Sequence, residues 1–156
     1  MEGGLKDFYK IPEVHARMYL QEVHAITSAE PIRNTGDAGR ILREQFADAD
    51  REYFVSVNLD AKGRPISYHV AGIGSVCSVH FAIDSVFKIA LLQNAVSILV
   101  CHNHPGGTLI PSNDDLEATK SLVAVGNLLG IRVLDHLIIS PDDYVSLREG
   151  YGEVFQ

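Results

Sequence analysis

The sequence predicts an α+β domain in which a mixed β-sheet is flanked by helices. Three observations support this prediction. Residues 53–59 alternate Tyr, Val, Val and Leu with Phe, Ser and Asn, as a strand does. Residues 95–101 are a short, mainly apolar run, which is typical of a strand buried on both faces. From Ile83 to Leu91, apolar side chains recur at helical spacing.

The remaining elements are predicted from turn and capping signals. Proline and glycine after the buried strand indicate a loop, and Asp37 lies in the first turn of the first helix. In chain order we expect a strand near 14–23, a helix with its N-cap at Thr35, a strand near 66–71 after a hairpin turn at 60–63, a helix ending at Gly130, and strands over 131–139 and 144–147.

The length of the chain is that of one ordinary domain. It has 156 residues and shows no repeat, low-complexity tract or charge block that would mark a boundary. We expect residues 1–30 to form an N-terminal extension with the first strand, and residues 31–150 to form the single globular domain.

The charge of the chain disfavours direct binding to nucleic acid. Thirteen Lys and Arg face twenty Asp and Glu, the net charge is -7, and no two basic residues are adjacent. Such binding draws on clustered positive charge. Two cysteines, no apolar leader and no apolar run long enough for a bilayer predict a cytoplasmic protein without a membrane partner. No P-loop and no H-E-x-x-H motif occurs.

The segment C-H-N-H-P-G-G at 101–107, followed by P-S-N-D-D at 111–115, contains a candidate metal site. His102 and His104 would point to opposite faces of a regular strand, but Pro105 and two glycines allow the backbone to turn there. Asp115 lies in the first turn of the next helix and can face the same point. Two imidazoles and one carboxylate are a common zinc set that leaves the fourth position for water.

Structural interpretations compete with this one. A His-x-His pattern alone is weak, and Ser112-x-x-Asp115 is fully explained as a capping box at a helix N-terminus. The capping and metal interpretations are compatible with each other. Cys101 adjoins His102, but adjacent strand residues face opposite ways, so we expect a small, buried apolar side chain there.

The complete pattern resembles a known family. His-x-His, seven residues, Ser, two residues and Asp is similar to the JAMM metal signature of the MPN/JAB metallopeptidases, and HNHPGG with PSNDD resembles the signature of the RadC family. The likeness extends over about residues 50–150 through REYFVSVNLD, SVFKIALLQNA, LLGIRVLDHLIIS and DYVSLREG. Gly106 stands where that family usually has Ser. The chain resembles a short form that lacks the helix-hairpin-helix-like region.

The resemblance implies an α/β/α sandwich of the MPN/JAB (cytidine deaminase-like) fold and one Zn2+ per chain. By the same resemblance, Glu52 would be the general base and then acid, with Glu44 and Glu22 as fallback candidates. Ser112 would donate to the oxyanion, and His136 would be no ligand but a core residue or a support for the site, the core role being favoured.

Two functions remain open after this resemblance. The first is a zinc hydrolase of the metalloprotease type, in which metal-activated water attacks the peptide or isopeptide carbonyl of an unknown protein or peptide substrate. The second is an accessory protein of DNA repair or recombination that acts through partners and uses its metal mainly for structure. The intact ligand set favours the first. The resemblance to this superfamily also implies a homodimer as a partner arrangement.

Overall fold

The computed structural model describes residues 31–46, 48–74 and 81–156. The strand predicted near 14–23 and the fallback candidate Glu22 lie outside these residues. The elements are α1 (Thr35–Phe46), β1 (Tyr53–Leu59), β2 (Pro65–Ile73), α2 (Ile83–Leu92), β3 (Ser97–Asn103), α3 (Asn113–Leu129), β4 (Arg132–Ile139), β5 (Tyr144–Ser146), α4 (Leu147–Gly150) and a final 3-10 turn, Gly152–Phe155.

The five strands form one mixed sheet in the order β2-β1-β3-β4-β5. Strands β3 and β4 are parallel, whereas β1 pairs antiparallel with both β2 and β3, and β5 pairs antiparallel with β4. All seven residues of the central strand β3 are buried. The apolar run near residues 95–101 therefore does form a strand buried on both faces, as predicted.

Helix α1 covers one face of this sheet. Its residues Ala38 and Leu42 pack into a cluster of buried side chains from three strands. The strand members of this cluster are Val55, Val57, Leu59, Leu99, Cys101, Leu137 and Ile139.

Helices α2 and α3 cover the opposite face. Phe87 of α2 and Leu122 of α3 share a second cluster with strand residues. The strand members are Phe54, Ile98, Val100 and Val133. Because the sheet lies between two helical layers, the predicted α/β/α arrangement is confirmed. Across the described part of the chain, the helices all fall short of the length and apolar character that a bilayer-spanning helix needs.

The helix ends show which capping predictions hold. Helix α3 ends as expected, since Gly130 adopts the left-handed conformation with φ 72°. At the start of α1 the prediction is off by one residue. Thr35 is already helical, and the Asn34 Oδ1 atom accepts the backbone N–H of Asp37 at 2.9 Å. Asn is at least as good an N-cap as Thr, so the side chain one residue earlier caps the helix.

Gly126 allows α3 to pack closely on the start of β4. A Cβ atom at this position would lie 2.5 Å from the carbonyl oxygen of Ile131. We expect Gly126→Ala to lower the free energy of unfolding by about 1–3 kcal/mol, because backbone atoms would have to shift. Urea unfolding measures this, with Gly150→Ala as the control, since nothing lies within 4 Å of a Cβ there. Equal stability of the two variants would contradict the prediction.

Candidate metal centre

The turn after β3 brings two imidazoles to one side. The backbone N–H of His104 donates to the Ile139 carbonyl at 2.7 Å, and that of Gly107 donates to the His104 carbonyl at 3.0 Å. Gly107 has φ 83°, a conformation that favours glycine. As a result, the Nε2 atoms of His102 and His104 lie 2.8 Å apart. The predicted reversal of the chain at this point is therefore present.

Helix α3 supplies the third side chain through its cap. Asp115 Oδ2 accepts from both the backbone N–H and the hydroxyl of Ser112, each at 2.7 Å. In return, the Asp115 N–H donates to Ser112 Oγ at 3.1 Å, which completes the capping box. With Oδ2 held in this way, Oδ1 lies 3.3 Å from His102 Nε2. The cap thus orients the carboxylate toward the histidines, so the capping interpretation is confirmed and is compatible with metal binding by Asp115.

The donor set fits a metal ion. One ligand atom from each of His102, His104 and Asp115 lies within 4.8 Å of the other two. The Nδ1 atom of His104 is 2.8 Å from the Thr108 carbonyl oxygen. A carbonyl can only accept, so Nδ1 carries a proton and Nε2 is the ring nitrogen left to bind an ion. Two imidazoles and a carboxylate with this orientation could hold a metal ion.

His136 and Thr119 lie behind His102. The Nδ1 atom of His102 is 2.8 Å from His136 Nε2, and His136 Nδ1 is 2.7 Å from Thr119 Oγ1. All three side chains are buried. Burial, the largest cause, lowers the pKa of His102 to about 4, and Asp115 opposes that shift. Burial also lowers the pKa of His136 well below its usual value.

The expected core position of His136 is confirmed, and the residue also contacts a candidate ligand, the role that the sequence favoured less. His136 is opposite Val100 in the β3–β4 register. Because side chains alternate along a strand, this register puts it on the same face as His102. The contact between His136 and His102 can therefore be predicted only when the pairing register of β3 and β4 is known.

Glu52 lies where β1 enters the sheet beside the histidines. Phe54 is opposite His102 in the antiparallel register, so Glu52, two residues earlier, lies at the same end of this strand pair as the turn that carries His104. Glu52 is a buried residue, and burial raises the pKa of its carboxyl. His104 lowers that pKa and Asp115 raises it, which places Glu52 within electrostatic reach of both.

The fallback candidate Glu44 is not brought to this group. It lies on the exposed side of α1, in a 3.9 Å ion pair with Arg40. Helix α1 covers the face of the sheet opposite to the one that carries His102. Among the described glutamates considered for the general base, Glu52 is thus the one beside the histidines.

Asn103, between the two histidines, fixes the backbone on both sides of Glu52. Its Oδ1 accepts the N–H of Tyr53 at 2.8 Å, and its Nδ2 donates to the carbonyl of Arg51 at 2.9 Å. The Asn103 side chain is buried, and both of these hydrogen bonds are partly buried. No local sequence pattern marks Asn103, because its partners lie about fifty positions away in the chain.

We expect Asn103→Ala to lower the free energy of unfolding by about 1–3 kcal/mol, since two partly buried backbone groups lose the buried side chain that holds them. The three candidate ligands are untouched, so the metal content should stay at the wild-type level. Urea unfolding and elemental analysis measure the two effects. Asn127→Ala, at an exposed position of α3, is the matched control. If Asn103→Ala were as stable as the wild type, the two hydrogen bonds of Asn103 would make no contribution to the free energy of unfolding.

Two further residues of the motif behave as expected. Cys101 is buried in the cluster that faces α1, and burial raises the pKa of its thiol to about 12. It therefore points away from His102, which confirms its predicted role. At exposed Gly106, a Cβ atom would have nothing within 4 Å, so the serine usual in the resembled family would fit without a clash.

Comparison with known proteins agrees with this arrangement. A family profile described as "RadC-like JAB domain" matches residues 32–152. A "UPF0758 protein" of Chloroflexus aggregans is 45% identical over 119 residues, which are 76% of this chain and 52% of that protein. A protein of the same name from Finegoldia magna is 40% identical over 119 residues, 76% of this chain and 53% of that protein.

A third similar protein, "UPF0758 protein BCE33L4198" of Bacillus cereus, is 42% identical over 118 residues, 76% of this chain and 52% of that protein. The chain thus spans about half the length of these relatives. The match of the family profile extends from the residues before α1 to the final 3-10 turn and includes every residue of the candidate metal centre. The chain belongs to the family of RadC-like JAB domains.

Proposed function

We propose that this domain is a zinc-dependent hydrolase of the metallopeptidase type, which cleaves a peptide or isopeptide bond. The observation that carries the proposal is the convergence of His102, His104 and Asp115 at one point, with the buried residue Glu52 within electrostatic reach of two of them. Three protein ligands are the number found in catalytic zinc sites, which keep a further position open, whereas structural sites use four.

Bound zinc would supply Lewis-acid chemistry, since it polarises a carbonyl and lowers the pKa of a water ligand to about 7. His102, His104 and Asp115 would hold the ion. The chain contributes a preformed arrangement: the turn at Gly107 positions His104, and the cap at Ser112 orients Asp115. Neither ligand then has to be ordered at the moment of binding.

Glu52 would carry the proton during hydrolysis. Its carboxylate takes a proton from the attacking water as the new carbon–oxygen bond forms, and returns it to the amine nitrogen as the carbon–nitrogen bond breaks. Burial raises the pKa of Glu52, which makes its carboxylate a better proton acceptor. This transfer consumes one water and leaves a carboxylate and an amine as products.

Ser112 is the proposed donor to the oxyanion that forms on the carbonyl. In this structure its hydroxyl donates to Asp115 Oδ2. To donate to an oxyanion it would rotate away from that atom, while the backbone N–H of Ser112 still holds the carboxylate. Ser112 would therefore serve both the cap and the reaction, in succession.

The proposal is tested with untagged, zinc-loaded protein and a panel of fluorogenic peptides and isopeptide-linked substrates. We expect cleavage of at least one substrate, loss of cleavage on adding a chelator and recovery on adding zinc. Asp115→Ala is the inactive control, and Asp114→Ala, an exposed residue of the same turn, is the active one. Zinc-loaded protein that cleaves none of the panel would contradict the proposal and favour the accessory role with a structural metal.

A further inference from the structure

A chain of hydrogen bonds connects the two elements that supply the candidate ligands. His102 Nδ1 lies 2.8 Å from His136 Nε2, and His136 Nδ1 lies 2.7 Å from Thr119 Oγ1. Thr119 Oγ1 in turn donates to the carbonyl oxygen of Asp115 at 2.6 Å. These hydrogen bonds thus begin at His102 on β3, pass through His136 on β4 and end at the backbone of Asp115 on α3.

The direction of these bonds follows from the last of them. A carbonyl oxygen can only accept, so the single hydroxyl proton of Thr119 is committed to Asp115. Thr119 Oγ1 must then accept from His136, which places the His136 proton on Nδ1. A neutral imidazole has one ring proton, so His136 Nε2 is an acceptor and His102 Nδ1 is the donor to it.

The neutral form of His136 is the one that this environment allows. Its side chain is fully buried, with 0% of the residue exposed. Both ring nitrogens are occupied by His102 and Thr119, so no carboxylate is bound to the ring. An isolated buried charge is costly. The opposite proton order would require either a positively charged His136 or a Thr119 hydroxyl that donates to His136 and leaves no proton between its oxygen and the Asp115 carbonyl, 2.6 Å away.

We infer that Thr119 and His136 are positioning residues that fix the tautomer of His102, with its proton on Nδ1 and a lone pair on Nε2. The Thr108 carbonyl likewise holds a proton on Nδ1 of His104. The lone pair of His102 Nε2 then faces His104 Nε2 at 2.8 Å and Asp115 Oδ1 at 3.3 Å, where either a proton on His104 Nε2 or a bound cation can meet it. The inference rests on the proposed metal site and extends it to the residues that prepare it for the ion.

The wild-type tautomer can be read without any metal. In chelator-treated, uniformly 15N-labelled protein at neutral pH, two-bond 1H–15N correlations of the imidazoles distinguish a protonated Nδ1 from a protonated Nε2. We expect the Nδ1-protonated form for both His102 and His136. A proton on His102 Nε2 would overturn the inference. Because this readout needs no zinc, failure of the zinc proposal would leave its result intact.

The hydroxyl of Thr119 is tested by a matched pair of variants. Thr119→Val keeps the shape but removes the acceptor for His136 Nδ1. His136 can then carry its proton on Nε2 and donate it to His102 Nδ1, which leaves the His102 proton on Nε2. We expect this variant to show the Nε2-protonated form of His102 and to bind zinc about 10–100-fold more weakly, in the range found for outer partners of metal ligands.

Thr119→Ser, which keeps the hydroxyl, should retain the wild-type tautomer and an affinity close to wild type. Zinc affinity is measured by competition with a chromophoric chelator, on variants shown to be folded by circular dichroism. Unchanged tautomer and affinity in Thr119→Val would overturn the inference. Equal loss in Thr119→Val and Thr119→Ser would overturn it as well, since only one of them lacks the hydroxyl.

Discussion

Replacing Glu52 by Gln is expected to lower the rate of hydrolysis by about 10²–10⁴-fold, the usual contribution of a general base. Glutamine has the shape of glutamate but cannot take a proton from water at neutral pH. None of the three proposed ligands changes, so zinc content should stay at the wild-type level. The rate is measured on a substrate that the wild-type domain cleaves, and zinc by elemental analysis of the same sample.

Glu44→Gln is the matched control for this experiment. Glu44 lies on the exposed side of α1, in an ion pair with Arg40, so the same chemical change there should leave the rate unaltered. Near wild-type activity of Glu52→Gln would remove Glu52 from the mechanism. Loss of zinc together with activity would show that Glu52 acts on the ion rather than on the attacking water.

Removing the third ligand should have the second large effect. We expect Asp115→Ala to weaken zinc binding by at least about 100-fold, because even outer partners of metal ligands contribute about 10–100-fold. Asp115 Oδ1 faces His102 Nε2 at 3.3 Å, so the variant leaves only two imidazoles at the site. Competition with a chromophoric chelator measures the affinity of untagged protein.

The control for Asp115→Ala is Asp114→Ala. Both carboxylates lie in the first turn of α3, and only Asp115 faces the histidines. Because Asp115 also completes the capping box, urea unfolding of both metal-free variants separates loss of the cap from loss of the ligand. An Asp115→Ala affinity equal to that of Asp114→Ala would show that the carboxylate does not bind the ion.

The layered fold could be predicted because its strands and helices carry strong local patterns. The run at 95–101 became the fully buried strand β3, and the helical spacing from Ile83 became α2. Element ends were harder to place. Thr35 and Asn34 are both good caps, and only the position of the first helical turn decides between them. The closing strand β5 ends at Ser146, because Leu147 begins α4.

The candidate ligands could be predicted because they lie close together in sequence. His102, His104 and Asp115 span one strand end and one helix start, where proline, glycine and a cap determine the backbone. The residues that support these ligands could not be predicted from local sequence patterns. Asn103 reaches the start of β1 and His136 reaches His102 through strand pairing, and pairing register is a long-range property.

The central claim is that His102, His104 and Asp115 hold one zinc ion with a position left open. Zinc K-edge X-ray absorption of untagged protein, loaded to its measured stoichiometry, tests it most directly. We predict about one zinc per chain at nitrogen and oxygen distances of about 2.0–2.2 Å, with scattering from two imidazoles and no sulfur ligand. No zinc uptake, or sulfur in the coordination shell, would contradict the account.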